Sequence, residues 1–268
     1  MMRSLAWLPF ALSAAAVHAE NDFNVMTINH SVDGTDFVST VVWDAETTDP
    51  MPGVLMVPNW MGPTEASLKK AKQVAEEGYV VMMVDMYGVD VRPQNAQEAG
   101  AAAGAVRSDR AVMRARANNA LETFRALPQQ GSVPLDSARV AAIGFCFGGG
   151  TVLELARSGT ELDAVVSFHG DLLSPTLAAD SANIQSKVLV LHGAADPYVP
   201  QDHVSQFVDV MNATDVDWQL MQFGGAVHSF TDPLAQSEGA RYDAVVSARA
   251  FEVMDELFEE LWEQADGE

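Results

Sequence analysis

Apolar positions along the chain follow two rhythms. Short unbroken apolar runs recur at Val54–Val57, Tyr79–Val84, Arg139–Phe145, Ala164–His169, Lys187–His192 and Asp217–Phe223. Runs of that length, rich in Val, Leu and Ile and bounded by Gly, Pro or Asp, read as buried strands. Between them lie stretches with helical spacing: Thr64 to about Glu77, closed by Gly78; Arg107 to Leu127, closed by Pro128; Thr151 to Arg157; Asp202 to Asn212; and Gly239 to about Glu263. Ahead of these, Phe23–Asn29 and Asp36–Trp43 alternate like an antiparallel pair turning at Asp33-Gly34, and Pro50-Met51-Pro52-Gly53 breaks the chain. Val89–Gly104 follows neither rhythm and is expected to be a loop with a short, loose helix, a flap over a site. Strands alternating with helices predict an α/β fold, a mainly parallel sheet covered by helices on both faces. With no internal repeat and no linker, residues 20–268 are expected to form a single domain.

The first nineteen residues stand apart. A short basic start at Arg3, an apolar run from Ser4 to Val17 and the small-residue pattern Val17-His18-Ala19 predict a signal peptide cleaved after Ala19. The apolar run is shorter than the roughly 20 residues a membrane span needs. The mature chain is therefore expected in a periplasm or secreted, with no membrane insertion after signal removal. Losing residues 1–19 removes one basic residue and no acid, leaving 14 basic against 37 acidic residues. That balance argues against nucleic acid and anionic lipid as partners. The 48% hydrophobic content fits a large core. A single cysteine, Cys146, permits no internal disulfide and is a liability in an oxidising compartment.

That cysteine lies where a strand turns into a helix, in Gly144-Phe145-Cys146-Phe147-Gly148. The Gly-x-nucleophile-x-Gly pattern forces a sharp turn that exposes its central side chain, with glycines where neighbouring backbone passes close. The helix N-terminus beneath the sulfur favours a thiolate. A phosphate-binding loop does not fit, because Gly144, Gly148, Gly149 and Gly150 match neither dinucleotide nor P-loop spacing. Cysteine as mere packing is the competing reading. In parallel sheets reactive side chains gather at the carboxyl ends of strands. Asp196 follows the strand ending at Gly193, and His228 follows the strand ending at Phe223, so nucleophile, acid and base come in α/β-hydrolase order. Asp196 before Pro197 also suits a simple turn. Asp171 is the second candidate acid. His169 and His192 also end strands and are read as supports, and His30 and His203 as surface or packing residues. No metal-ligand cluster and no cofactor fingerprint is present, so neither metal nor cofactor is expected.

Gly144-Phe145-Cys146-Phe147-Gly148-Gly149, Gly193-Ala194-Ala195-Asp196 with Val199-Pro200, and His228-Ser229-Phe230 resemble the three signatures of the dienelactone hydrolases, cysteine-based α/β-hydrolases acting on lactones and esters. Asp85-Met86-Tyr87 and Asn59-Trp60-Met61-Gly62 are similar to further family segments. The resemblance implies a Cys146–His228–Asp196 triad, a thioester intermediate and an oxyanion hole from the backbone N–H groups of Trp60 and Phe147. It implies a small-molecule ester or lactone as substrate and leaves the oligomeric state open. Asn59 stands where the best-known members carry a glutamate, and Thr231 and Asp232 follow Phe230 where they carry an arginine. A neutral, apolar ester or lactone is therefore expected, with Asn59, Trp60, Met61, Tyr87, Phe147 and Phe230 as pocket walls. Arg107 and Arg110 are read as solvated. Two other readings stay open: a catalytically silent ligand-binding protein on this fold, and a thiol redox sensor.

Overall fold

The computed structural model describes residues 22–131 and 133–262; the signal expected over residues 1–19 lies outside them. The strands β1 (Phe23–Val32) and β2 (Thr35–Asp44) form the expected hairpin. Asp33 and Gly34 both take left-handed backbone, φ 51° and 75°, which is what a two-residue turn matching strand twist requires. The sheet continues with β3 (Met51–Val57), β4 (Val80–Met83), β5 (Leu135–Phe145), β6 (Ala164–Phe168), β7 (Lys187–Gly193) and β8 (Trp218–Phe223). Their order is β1-β2-β4-β3-β5-β6-β7-β8, antiparallel through β2/β4 and parallel from β4 onwards.

Alternation along the central strands feeds two separate cores. Leu55, Val57, Val140, Ala142, Val165, Val188 and Val190 point to one face, under α2 (Ala96–Arg107), α3 (Arg110–Arg125), α4 (Phe147–Arg157) and α6 (Gln201–Met211). Val54, Met56, Ala141, Ile143, Val166, Leu189 and Leu191 point to the other, under α1 (Glu65–Ala75) and α7 (Ala244–Trp262). Both faces being covered explains why these strands read as continuous apolar runs. Burying one such side chain stabilises by about 1.5–3 kcal/mol.

Several boundaries differ from the sequence reading, each for a local reason. The stretch expected as a loose helix holds a regular α2, started by Asn95 Oδ1 accepting from Glu98 N–H at 3.0 Å and seated through Ala99, Ala103 and Val106. The long helix expected from Arg107 is split. Asp109 leaves the helical conformation, and its Oδ1 accepts from Ala111 and Val112 N–H at 3.1 and 3.2 Å, starting α3 anew. The break expected at Pro50–Gly53 lies inside β3, where the register with β5 shifts between Pro52 and Gly53. Helix α4 starts at Phe147 rather than Thr151, and α7 at Ala244 rather than Gly239. The short α5 (Leu177–Asp180) was not expected.

Candidate active site

At the end of β5, Cys146 takes φ 55° and ψ −114°, a left-handed conformation strained for a residue with a side chain. The two flanking glycines explain how the turn fits. A Cβ on Gly148 would lie 2.1 Å from the Val57 carbonyl oxygen, and one on Gly144 2.1 Å from that of Gly148. The Cys146 N–H donates to the Phe168 carbonyl at 3.0 Å and to His169 Nδ1 at 3.1 Å, which pins the bend to the end of β6.

Asp196, buried in the loop after β7, divides its carboxylate between two tasks. Its Oδ1 accepts from the Tyr198 and Val199 N–H groups at 2.8 and 3.1 Å, bracing its own loop. Its Oδ2 lies 2.7 Å from His228 Nδ1. The turn-former and partner readings of this residue thus hold together. His228 is held by its main chain, donating to the Gly239 carbonyl at 3.1 Å and accepting from Arg241 N–H at 2.9 Å. With Nδ1–H directed at Asp196, Nε2 is the ring nitrogen left to serve Cys146. Burial alone would depress the His228 pKa. Hydrogen bonds to Asp196 and Cys146, with the charges of both, outweigh it and push the pKa up to about 10. The structure thus sets His228 against Asp196, with Cys146 near enough to act on the same ring.

Other candidates fall elsewhere. Asp171 pairs with Arg110 at 3.8 Å and accepts from Leu173 N–H, and the carboxylate that meets His228 is that of Asp196. Arg110, read as solvated, is thus tied down. Arg107 is exposed, with its guanidinium 6.0 Å from the centre of the Phe147 ring. His169 is buried, and burial together with the nearby charges of His228 and Lys70 holds its pKa well below the ordinary value. Accepting at Nδ1 from Cys146, it lies with Nε2 2.9 Å from Thr231 Oγ1, so the ring is a neutral strut between the nucleophile turn and the loop after β8. His192 is also buried with a lowered pKa, chiefly from burial. His30 bridges Asn119 and Ser39 at 2.7 and 2.9 Å, far along the chain from the triad loops.

The expected pocket walls fall apart. Asn59, Trp60 and Met61 line a cavity beside the turn after β3, but none of Cys146, Asp196 and His228 lines it. Phe230 does not. It is fully buried, with its ring edge-on to Phe223 and His169, because the chain turns inward after His228 to seat an aromatic in the α7-side core. Tyr87 is buried rather than an open wall. Its ring packs on Phe147 with centroids 5.5 Å apart, and its hydroxyl donates to the Trp60 carbonyl at 2.8 Å. Burial, reinforced by the Cys146 charge, raises its pKa, so it remains a donor. Asn59 accepts from Met61 N–H at 3.0 Å and donates to Asp232 Oδ2 at 3.1 Å. The two positions that depart from the best-known sequences are thus hydrogen-bonded to one another. Among the described residues, no protein acceptor engages the backbone N–H of Trp60, and Phe147, first in α4, has an N–H that no helical turn can use. The Trp60 brace by Tyr87 and the His169 strut were invisible in the sequence, since each joins segments whose approach only the fold decides.

The dienelactone hydrolase family pattern matches residues 38–262. The chain belongs to the dienelactone hydrolase family. Among solved structures, it is similar to a dienelactone hydrolase-like promiscuous phosphotriesterase from metagenomic libraries, 39% identical with a TM-score of 0.83, over 89% of this chain and 98% of that one. It is 36% identical to the uncharacterized protein K02A2.1 of Caenorhabditis elegans, over 49% of this chain and 86% of the other. It is 26% identical to the probable 2-oxo-3-(5-oxofuran-2-ylidene)propanoate lactonase of Bradyrhizobium sp., over 68% of this chain and 75% of that one. The chain is accordingly a hydrolase of the lactone and ester type. No helix among the described residues is long and apolar enough to cross a membrane.

Proposed function

We propose that this dienelactone hydrolase family member is exported after cleavage at Ala19 and hydrolyses neutral, apolar carboxylic esters or lactones through Cys146, His228 and Asp196. The observation that carries the reading is the 2.7 Å contact of His228 Nδ1 with Asp196 Oδ2, which leaves the other ring nitrogen for Cys146.

His228 takes the thiol proton, and the resulting imidazolium is stabilised by Asp196. The sulfur attacks the carbonyl carbon, and the N–H groups of Trp60 and Phe147 receive the charge that develops on oxygen. Losing one such donor costs on the order of a hundredfold in rate. Collapse expels the alcohol oxygen, which takes the proton back from His228, and leaves a thioester on Cys146. In that thioester the sulfur carries no charge, so two of the influences that raise the His228 pKa are gone. Burial then pulls the ring towards its neutral form, the form that can deprotonate water for the second attack. The pKa thus shifts in the direction each half-reaction needs. Tyr87 steadies the turn after β3 by donating to the Trp60 carbonyl, one peptide beyond the one that carries the Trp60 N–H.

The test is a stopped-flow assay with short-chain 4-nitrophenyl esters. A burst equal to the enzyme concentration, lost in Cys146→Ala and after iodoacetamide treatment, is expected. Ligand binding without turnover would instead favour a silent binding protein, and reversible sulfenylation of Cys146 without esterase activity a redox sensor. The phosphotriesterase relative adds a neutral phosphotriester to the substrate panel, since an electrophilic phosphorus is open to the same thiolate attack as a carbonyl carbon.

A further inference from the structure

A cavity of about 790 Å³ lies between the first turns of α1 and the segment 229–240, and none of Cys146, Asp196 and His228 lines it. Its size is within the range of small-molecule sites. Met56, Met61, Phe145 and Leu234 supply apolar wall, and Lys70 supplies a largely enclosed ammonium. Lys70 Nζ sits 4.8 Å from the centre of the Phe145 ring and 5.4 Å from that of Phe251. It donates one hydrogen bond, to the Thr231 carbonyl at 2.6 Å, which leaves two N–H directions of its three. The surrounding charge makes this position unusual. The protein has a net charge of −22 and four lysines, three of which (Lys69, Lys70 and Lys72) fall on α1. Elsewhere the surface repels anions, and here an anion meets a cation in an apolar setting, where an ion pair is worth more than in water. Asp232 also lines the cavity, with its oxygens engaged by Asn59 Nδ2 and Leu234 N–H. With that carboxylate present, a single additional negative charge is favoured over two.

We infer that this cavity is a second ligand site, separate from the triad, which binds an apolar monocarboxylate with Lys70 as its counter-ion. The acid released by the proposed hydrolysis belongs to that class, but the site stands without that reading. Of the charged and titratable groups in the cavity wall, Asp232 acts on Lys70, Lys70 acts in turn on the neutral His169 at the end of β6, and Lys69 and Glu65 on α1 complete the set. Burial, partly opposed by Asp232, lowers the Lys70 pKa to about 8, so the ammonium is present at pH 7 and is lost as pH rises through that value.

Octanoate is the probe, followed by calorimetry and by fluorescence of Trp60, which lines the cavity. One saturable site is expected at pH 7. Lys70→Met is expected to weaken binding about tenfold, the loss typical of one charge-assisted contact, whereas Lys70→Arg largely keeps it. Cys146→Ala should bind as the parent protein does, which separates this site from the catalytic one without any turnover measurement. Affinity of the parent protein should fall as pH rises from 7 to 9.5. Should Lys70→Met fail to fold, the comparison of octanoate with octanol in the parent protein decides the matter, since only octanoate pairs with the ammonium. The inference is overturned by absent saturable binding, by equal binding of octanol, by unchanged affinity in folded Lys70→Met, or by loss of binding in Cys146→Ala.

Discussion

At the scale of single residues, the site is a set of side chains whose charge depends on one another. The His228 pKa is the clearest case, with Cys146 and Asp196 raising it against burial. Replacing Cys146 by Ala removes one partner, so the His228 ring, followed by NMR, is expected to titrate at lower pH than in the parent protein. The linkage has a definite sign. A histidine whose pKa is raised from 6.5 to about 10 on folding contributes stability that is complete below pH 6.5 and lost as pH rises through about 10. Chemical denaturation of the parent protein and His228→Ala across pH 6–10 should therefore show their difference shrinking as pH rises. In turnover, His228→Ala is expected to lose on the order of 10⁶-fold in kcat with folding retained, as when a triad base is removed. Full activity in that variant would remove the mechanism. Tyr87→Phe removes only the hydroxyl on the Trp60 carbonyl. It should lower kcat about tenfold with little change in KM, because the loosened peptide adjoins the one carrying the Trp60 N–H, which matters most once oxyanion charge has formed.

At the scale of elements, the turn between β5 and α4 has no spare volume. Gly148→Ala would drive a methyl group into the Val57 backbone of β3. Neither strand can move without leaving the sheet, so loss of roughly 3–5 kcal/mol, or failure to fold, is expected in denaturant titration. Helix α7 offers the opposite case. Its acidic residues Glu252, Glu256, Glu259 and Glu260 are exposed, but Asp255 is partly enclosed, with an oxygen lacking a partner. Burial, then the charges of Glu77 and Glu259, raises its pKa to about 7. An acid raised in this way costs stability increasingly as pH climbs from its unfolded value of 3.8 to about 7. Asp255→Asn should accordingly raise Tm at pH 8 by about 2 °C or more, and by less at pH 4.

For the whole molecule, the excess of 37 acidic over 15 basic residues makes long-range repulsion a steady opponent of folding. Salt screens it over about 10 Å at 0.1 M and about 3 Å at 1 M, so Tm is expected to rise between low salt and molar sodium chloride. The same field bears on ligand choice. It disfavours anions over most of the surface, and α1, carrying three of the four lysines, is where that rule is locally relaxed.

How much could be read in advance depended on how local the signal was. The alternation of the central strands, the left-handed turn at Asp33-Gly34 and the glycine spacing around Cys146 are short-range patterns. The chain by itself therefore determined the sheet, the strand-to-helix bend and the order in which cysteine, aspartate and histidine arrive at strand ends. What only tertiary packing decided joins distant segments: Tyr87 on Trp60, His169 between Cys146 and Thr231, Asn59 on Asp232, and Lys70 enclosed over Phe145 and Phe251. Phe230 shows the same divide, since its motif is legible while its burial depends on a core built from other strands and α7. Backbone preferences act over a few residues, whereas hydrogen-bond partners and desolvation are set by whatever the folded chain brings within a few ångströms.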